Sequence, residues 1–300
     1  MESWFDTVLN QLGGPNGLWW LAGAYFGMAL GERVYYAIAR RGEYDDADAL
    51  CSIGLNLLGS VLTLLFTIAV PLALYLLVFD NFRFFTLNSL VVAIPLAFVV
   101  HELAYYTEHR LSHRVGLLWA FHSIHHSSNE FNHTTAARGF VLDGKLQGVF
   151  GLTAALIGVP PLVYFAVVAA KAMYGIWNHA SYVGHLGWLE AVFATPRNHM
   201  VHHANQPQYI DKNYSQVLIV WDRLLGTFAK YEEPPVVGLV KPVTDNNPLT
   251  AQFAGFVQLW DRMKTAPRWQ DRAAYLWMPP EWSHDGVCRS ECPKYAVPAE

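Results

Sequence analysis

Residues 50–79 hold no charged side chain in 30 consecutive positions. A helix needs roughly 20 residues to cross the hydrocarbon of a bilayer, so a run this long belongs in a membrane or at the centre of a very large core. The charge needed to wrap such a core in water is missing: 15% of the 300 residues are charged and 53% are apolar. The expected solvent is lipid, with a polar remainder outside it. Residues 84–107 form a second candidate span, uncharged from Phe84 to Val100 and continuing through His101 and Glu102. Residues 18–39 form a third, in which Glu32 and Arg33 must snorkel or pair. A turn is expected before it, at Gly13-Gly14-Pro15-Asn16.

Residues 146–170 are again uncharged, but Pro160-Pro161 divides them, and a proline inside a helix removes a hydrogen bond and clashes with the preceding turn. One reading is a single kinked span. The other is a hairpin of two helices of about 14 and 18 residues, roughly 21 and 27 Å long, that enters and leaves by one face. Lys and Arg favour the cytoplasmic side of short loops. Arg40 and Arg41 follow the span at 18–39, and Arg110 and Arg114 follow the one at 84–107, whereas the loop before it holds only Arg83. That bias places these span ends in the cytoplasm and the N-terminus outside.

Several function classes drop out. A net charge of -4 without a basic run offers no field for phosphates, so nucleic acid is not an expected partner. Cys51, Cys288 and Cys292 cannot build a paired framework. The stretch from Met1 to Asp6 carries Glu2 and Asp6 and no Lys or Arg, unlike the start of a signal peptide. After Tyr182 no segment is apolar enough to span, so the last third is expected as a peripheral cap. Within it, residues 248–264 predict an amphipathic helix with Phe253, Phe256, Val257 and Trp260 on one side, either packed into a core, the favoured reading, or anchored at the membrane interface, and Trp269, Trp277 and Trp282 suit a membrane-surface belt.

Twelve of the 13 histidines lie between His101 and His203. His109 and His113 stand at i, i+4; His122, His125 and His126 stand at i, i+3, i+4; His199, His202 and His203 repeat that pattern. On a helix these offsets share one face, so each set is expected to present its imidazoles to one point. A structural zinc needs about four ligands, and eight clustered imidazoles imply two metals. One H-x-x-x-H arises by chance; two H-x-x-H-H sets beside it, all flanking apolar spans, do not. Spacing alone leaves His101, His133 and His185 open between ligand and hydrogen-bonded residue, and His284 is too distant to join. A shared site requires all three sets on one side of the membrane, which favours the hairpin at Pro160-Pro161.

The segments His109-Arg110-Leu111-Ser112-His113, His122-Ser123-Ile124-His125-His126-Ser127-Ser128 and Thr195-Pro196-Arg197-Asn198-His199-Met200-Val201-His202-His203 together resemble the fatty acid hydroxylase/sterol desaturase superfamily of integral-membrane di-iron oxygenases, and within it the subgroup that contains alkylglycerol monooxygenase. Tyr105-Tyr106, residues 132–136 with Arg138, Asp211-Lys212-Asn213-Tyr214 and residues 221–228 extend the likeness over 50–228. Arg114 departs from it, standing where that subgroup's enzyme carries Glu. The resemblance implies a ninth ligand, His179, with His185 a further candidate. Glu102, Asp211 and Asp222 are read as carboxylates that orient the imidazoles, with a buried salt bridge as the alternative for Glu102 and a helix start or a surface ion pair as the alternative for the two aspartates.

The expected protein is an all-α integral membrane protein. It has about three transmembrane helices plus a membrane hairpin, and a cytoplasmic helical cap holding a histidine-rich di-metal site. Transmembrane helices occupy 1–107, the catalytic region 108–228 with the hairpin at 146–178, and the cap and tail 229–300. The expected cofactors are two iron ions, with zinc able to replace them in a purified sample. The expected reaction is O2-dependent hydroxylation or desaturation of a lipid C–H bond, with an ether lipid as one alternative substrate. Electrons must come from a separate donor, since no flavin, nicotinamide or iron-sulfur signature is present. Ferredoxin, a cytochrome b5-type protein, a reductase or a reduced pterin would serve, docking near Arg110, Arg114 and Arg197. A histidine-rich metal transporter or storage protein is the competing class, and it predicts ligands spread along the spans.

Overall fold

A computed structural model describes residues 14–287 except 41, 67–68, 141 and 244. The Met1–Asp6 start, Gly13, Cys288, Cys292 and the tail beyond 287 lie outside the described residues. The fold is helical, and β-pairing among the described residues is limited to two isolated bridges, Phe193 with Leu218 and Ala204 with Val237. In chain order the helices are α1 (Gly14–Ala39), α2 (Asp46–Phe66), α3 (Ala69–Phe82), α4 (Leu90–Arg114), α5 (Gly116–His122), α6 (Lys145–Ile157), α7 (Pro161–Trp177), α8 (Pro196–His202), α9 (Val220–Leu224), α10 (Pro248–Thr265) and α11 (Trp269–Ala274).

The uncharged run at 50–79 is described in two parts, α2 and α3, on either side of residues 67–68, which lie outside the described residues. Pro71 falls in the first turn of α3, where a missing N–H has no carbonyl to serve. One sequence expectation is corrected at once. The turn expected at Gly14-Pro15-Asn16 is instead the first turn of α1, for the same reason at Pro15. Among the described residues, α4 is the one helix long and apolar enough to cross a bilayer.

Helix α4 is the axis of the molecule, packed by α6 and α7 along its length and by α5 at its end. Small side chains set that approach: Ala97 on α4 and Ala154 and Ala155 on α6 are fully buried with Tyr75, Val159 and Tyr164. The Tyr75 ring stacks on Tyr164 at 4.8 Å and its hydroxyl donates to the Val159 carbonyl at 2.9 Å. The chain reverses between α6 and α7 at Gly158, which takes φ +96° and lies against the Phe85 backbone. Only glycine meets both demands. Pro160 and Pro161 then open α7 as its cap and first residue, so the double proline separates helices of 13 and 17 residues.

Large apolar side chains remain on the outside of the first four helices, among them Leu30, Ile38, Leu57, Leu77, Phe82 and Val91. The 248–264 expectation is right about the helix and about Phe256, which packs on Phe121 and Phe140 at 5.3 and 5.0 Å, and wrong about the other three side chains. In α10 the buried residues are Ala251, Gln252, Gly255, Leu259 and Arg262, while Phe253, Val257 and Trp260 are exposed. Gly255 presses on the Ala120 carbonyl and the Ser123 hydroxyl, so the small-residue face and not the Phe253–Trp260 face makes the close approach to α5. Trp269 and Trp277 are likewise exposed, whereas Trp282 packs on Tyr275 at 4.9 Å.

Candidate metal centre

Nine histidines meet in two adjoining groups, and within each group the ligand nitrogens all lie within 4.8 Å of one another. Group A is His109, His113, His122, His126 and His202; group B is His125, His179, His199 and His203. The groups touch where the His126 and His203 rings stack at 4.3 Å.

This partition overturns the expectation that each histidine set serves one point. His122 and His126 enter group A and send His125 to group B; His199 and His203 enter group B and send His202 to group A. The geometry is that of the helix itself. Residues at i and i+4 differ by about 40° around the axis, but i+3 and i+4 differ by about 100° and cannot aim at one ion. The exchange ties the two groups together.

Local sequence explains how the imidazoles are delivered. His109 and His113 ride the last turns of α4, and Val115 ends that helix so that α5 can bring His122 back beside them. His125 and His126 sit in a single 3-10 turn. Thr195 caps α8, its hydroxyl accepting from the Asn198 N–H, and Pro196 fits the first helical position.

Five of the nine Nδ1 nitrogens are committed outward. His109 donates to the Tyr214 carbonyl at 2.6 Å, His125 to Arg138 at 3.1 Å, His179 to Gly175 at 2.9 Å and His202 to Lys212 at 2.8 Å. His122 donates to the Asp143 carboxylate at 3.0 Å. Because a carbonyl can only accept, these bonds fix the tautomer that leaves Nε2 bare and facing inward. The inward nitrogens nevertheless crowd: His109 and His122 Nε2 lie 3.1 Å apart, His122 and His126 3.2 Å, His179 and His199 3.2 Å, and His199 and His203 3.2 Å. Between His109 and His122, whose Nδ1 protons leave both Nε2 bare, two lone pairs at that distance repel unless a cation lies between them. Imidazole nitrogens about 2.1 Å from one ion, set at right angles, are about 3.0 Å apart, and the buried Nε2 of His113 and His202 have no hydrogen-bond partner. The donor set fits a metal in each group.

Burial keeps the imidazoles in the neutral, ligating form: it pushes His125 down to about 4 and His202 down to about 3. The loop before α9 aims two of the accepting carbonyls. Asp211 and Asn213 take left-handed backbone at φ 60° and 56°, a conformation these two residue types tolerate best among side-chain-bearing residues. Their alternation presents the carbonyls of Lys212 and Tyr214 to His202 and His109. Asp222, fully buried, accepts from the Tyr214 and Ser215 N–H groups at 2.8 Å each and from the Thr227 hydroxyl at 2.7 Å, holding that loop.

The remaining expected residues are dispersed. Asp211 is held by Arg114 at 2.5 Å and lies 3.5 Å from His113 Nδ1. Glu102 touches no histidine of either group; it pairs with Lys171 at 2.5 Å and accepts from the Leu218 N–H at 2.9 Å. His185 joins neither group: its side chain is 60% exposed and faces Glu190 at 3.3 Å. His101 accepts from Lys171, and His133 faces the buried Glu32 carboxylate at 3.2 Å. Arg110 is exposed, while Arg114 also binds Glu281 and Arg197 lies between Glu190 and the Tyr231 ring. Sequence reasoning missed Asp143, which no spacing marks.

Three cavities approach the groups, a small one at His109, His122 and His125 beside Asp143 and two from other directions. One of about 650 Å³ reaches His125, His179 and His199 from between α1, α2 and α7, lined by Ala22, Phe26, Leu57, Ala172 and Ile176. The other, about 160 Å³, reaches His113, His126 and His202 past Arg114, Asp211 and Glu281.

Against known proteins, residues 94–227, which carry both groups, match the family described as fatty acid hydroxylase. These residues are a fatty acid hydroxylase domain. The chain around the hydroxylase domain is 34% identical over 236 residues to alkylglycerol monooxygenase of Homo sapiens, covering 78% of this chain and 53% of the relative. The Danio rerio alkylglycerol monooxygenase is 34% identical over 216 residues, covering 72% and 48%. An ornithine lipid hydroxylase of Rhizobium tropici is 32% identical over 142 residues, covering 47% and 43%. The chain thus spans about half the length of these curated relatives. No solved structure matches it.

Proposed function

We propose that this protein is a multi-pass, membrane-bound di-iron oxygenase that hydroxylates a C–H bond of a lipid. The carrying observation is that group B, three of whose four imidazoles line it, forms the end wall of the apolar cavity. The balance is R–H + O2 + 2 electrons + 2 protons giving R–OH + H2O; desaturation would instead remove a second hydrogen and leave two waters. Two irons held by the nine histidines would supply the one-electron steps of O2 reduction that no side chain offers.

The chain's own residues supply the rest. The outward hydrogen bonds keep five of the nine imidazoles in register, and Asp143 holds the His122 Nδ1 proton. The apolar wall excludes water from the reacting carbon. Exposed apolar faces on the first four helices suit a bilayer, from which the lipid would enter between α1, α2 and α7. The Arg40, Arg41, Arg110 and Arg114 bias supports a cytoplasmic site, and a separate ferredoxin, cytochrome b5-type protein, reductase or reduced pterin would deliver electrons there. Iron and zinc suit the same ligands, so a purified sample can carry either.

The names of the alkylglycerol monooxygenase relatives favour an ether lipid as substrate. Against the transporter or storage reading stands the placement of all nine histidines in one buried knot rather than along the helices. Lipid mass spectrometry of a host with and without the gene tests the proposal. A gain of one oxygen in a lipid species, lost in the His202→Ala host, supports it. An unchanged lipidome with altered cellular metal content would replace it with transport or storage.

A further inference from the structure

The apolar cavity has a polar flaw. The Tyr25 hydroxyl, Asn178 Oδ1 and Gln216 Oε1 are buried without any hydrogen-bond partner among the described residues, and all three residues line that one cavity beside His125, His179 and His199. Tyr25 and Asn178 are more than nine-tenths buried. The arrangement is built rather than incidental. Asn178 spends its Nδ2 on the Gln216 carbonyl at 2.8 Å, which leaves its oxygen over. Gly175 gives up a side chain where a Cβ would strike Gln216 Nε2. Leaving several buried polar groups unmet is strongly unfavourable, so their shared location points to a ligand that meets them.

The chemistry of the three atoms restricts that ligand. Two amide oxygens ask for a donor, and the phenol can donate in return. A free hydroxyl provides both functions; an ester or a fully alkylated ether cannot donate. No Asp, Glu, Lys or Arg lines the cavity, so a phosphate or ammonium head would be buried unpaired there.

Resting on the lipid-oxygenase reading above, we infer that Tyr25, Asn178 and Gln216 read an uncharged, hydroxyl-bearing lipid head and thereby hold the neighbouring C–H bond against group B. The three act as specificity-determining residues, with the alkyl chain running back along Phe26 and Leu57.

The test uses full-length protein in membranes, with 1-O-hexadecylglycerol and the same lipid with both hydroxyls methylated as probes. Binding is read by competition and mass spectrometry, and O2-dependent turnover is read separately. The wild type is expected to bind the hydroxyl lipid at least about tenfold better than the methylated one, because the methylated probe leaves the acceptors unmet. In Tyr25→Phe and Gln216→Leu the ratio falls toward one through a rise in KM for the hydroxyl lipid, with kcat much less affected. Equal binding of both probes by the wild type, or binding of neither, overturns the inference, and so does a ratio the folded variants preserve. Selective binding without turnover leaves the inference standing and removes the oxygenase reading, so the two failures are distinguishable.

Discussion

The bond from His122 Nδ1 to Asp143 is the one outward hydrogen bond of a group A or B imidazole that ends on a carboxylate within hydrogen-bond distance among the described residues, at 3.0 Å. The Asp143 side chain is 18% exposed, so it is screened only in part. A hydrogen bond to a charged group contributes about 1.5–3 kcal/mol, and partial exposure argues for the lower half of that range. At about 1.4 kcal/mol per factor of ten, Asp143→Ala should weaken metal binding in group A roughly 10- to 100-fold, in line with other outer-sphere partners of ligating histidines. Asp143→Asn keeps an acceptor oxygen and should lose about tenfold or less. Group B does not contain His122, so its metal should be much less affected. The assay is stripping of the reconstituted protein with a graded chelator while metal per chain is followed. The expected curve has two steps, one moved to lower chelator in the variants. If both variants strip like the wild type while circular dichroism shows them folded, Asp143 does not tune the site and the assignment of His122 to group A loses its support.

His185→Ala should retain both metals and lipid turnover, because that side chain faces Glu190 at the surface, whereas His202→Ala should lose group A metal and turnover together; metal content of the purified variants separates them. Glu130 provides a pH signature, since burial first, and then Asp48 and Asp45, push its carboxyl up to about 7. The folded state therefore holds a proton that the unfolded chain releases near 4.5, so the stability linked to Glu130 is present below that pH and is lost as pH rises to about 7. Glu130→Gln should flatten this slope and melt higher than the wild type at pH 8 but not at pH 4, read by thermal melts across the range.

Much of the site was legible in the residue pattern because helical spacing is a local rule. The pairs His109 with His113, His122 with His126 and His199 with His203 each stay together in one group, as i, i+4 residues should. The double proline likewise marked a break in the 146–170 run from short-range geometry, and the need to bring the histidine sets to one side favoured a reversal there. Other features had no local signal. Lys171 reads as a charge inside an apolar helix, and only the fold places it on Glu102 and His101. The outward face of α10 could not be read from its aromatics, because the small residues Ala251 and Gly255 made the tighter contact with α5.

What the sequence determined by itself was the inventory and its chemistry: apolar runs too long for water, and imidazoles in sets too dense for one metal. Those conclusions follow from composition and from a helical period of 3.6 residues, neither of which needs a distant contact. The tertiary structure decided which histidine serves which group, that Asp143 and the Tyr214 carbonyl hold His122 and His109, and that the apolar cavity ends on group B. The bond from His109 to Tyr214 joins residues 105 positions apart. Such pairings are set by how α4, the hairpin and the 211–214 loop pack together, and a hydrogen bond across that separation leaves no trace in either residue's immediate neighbours.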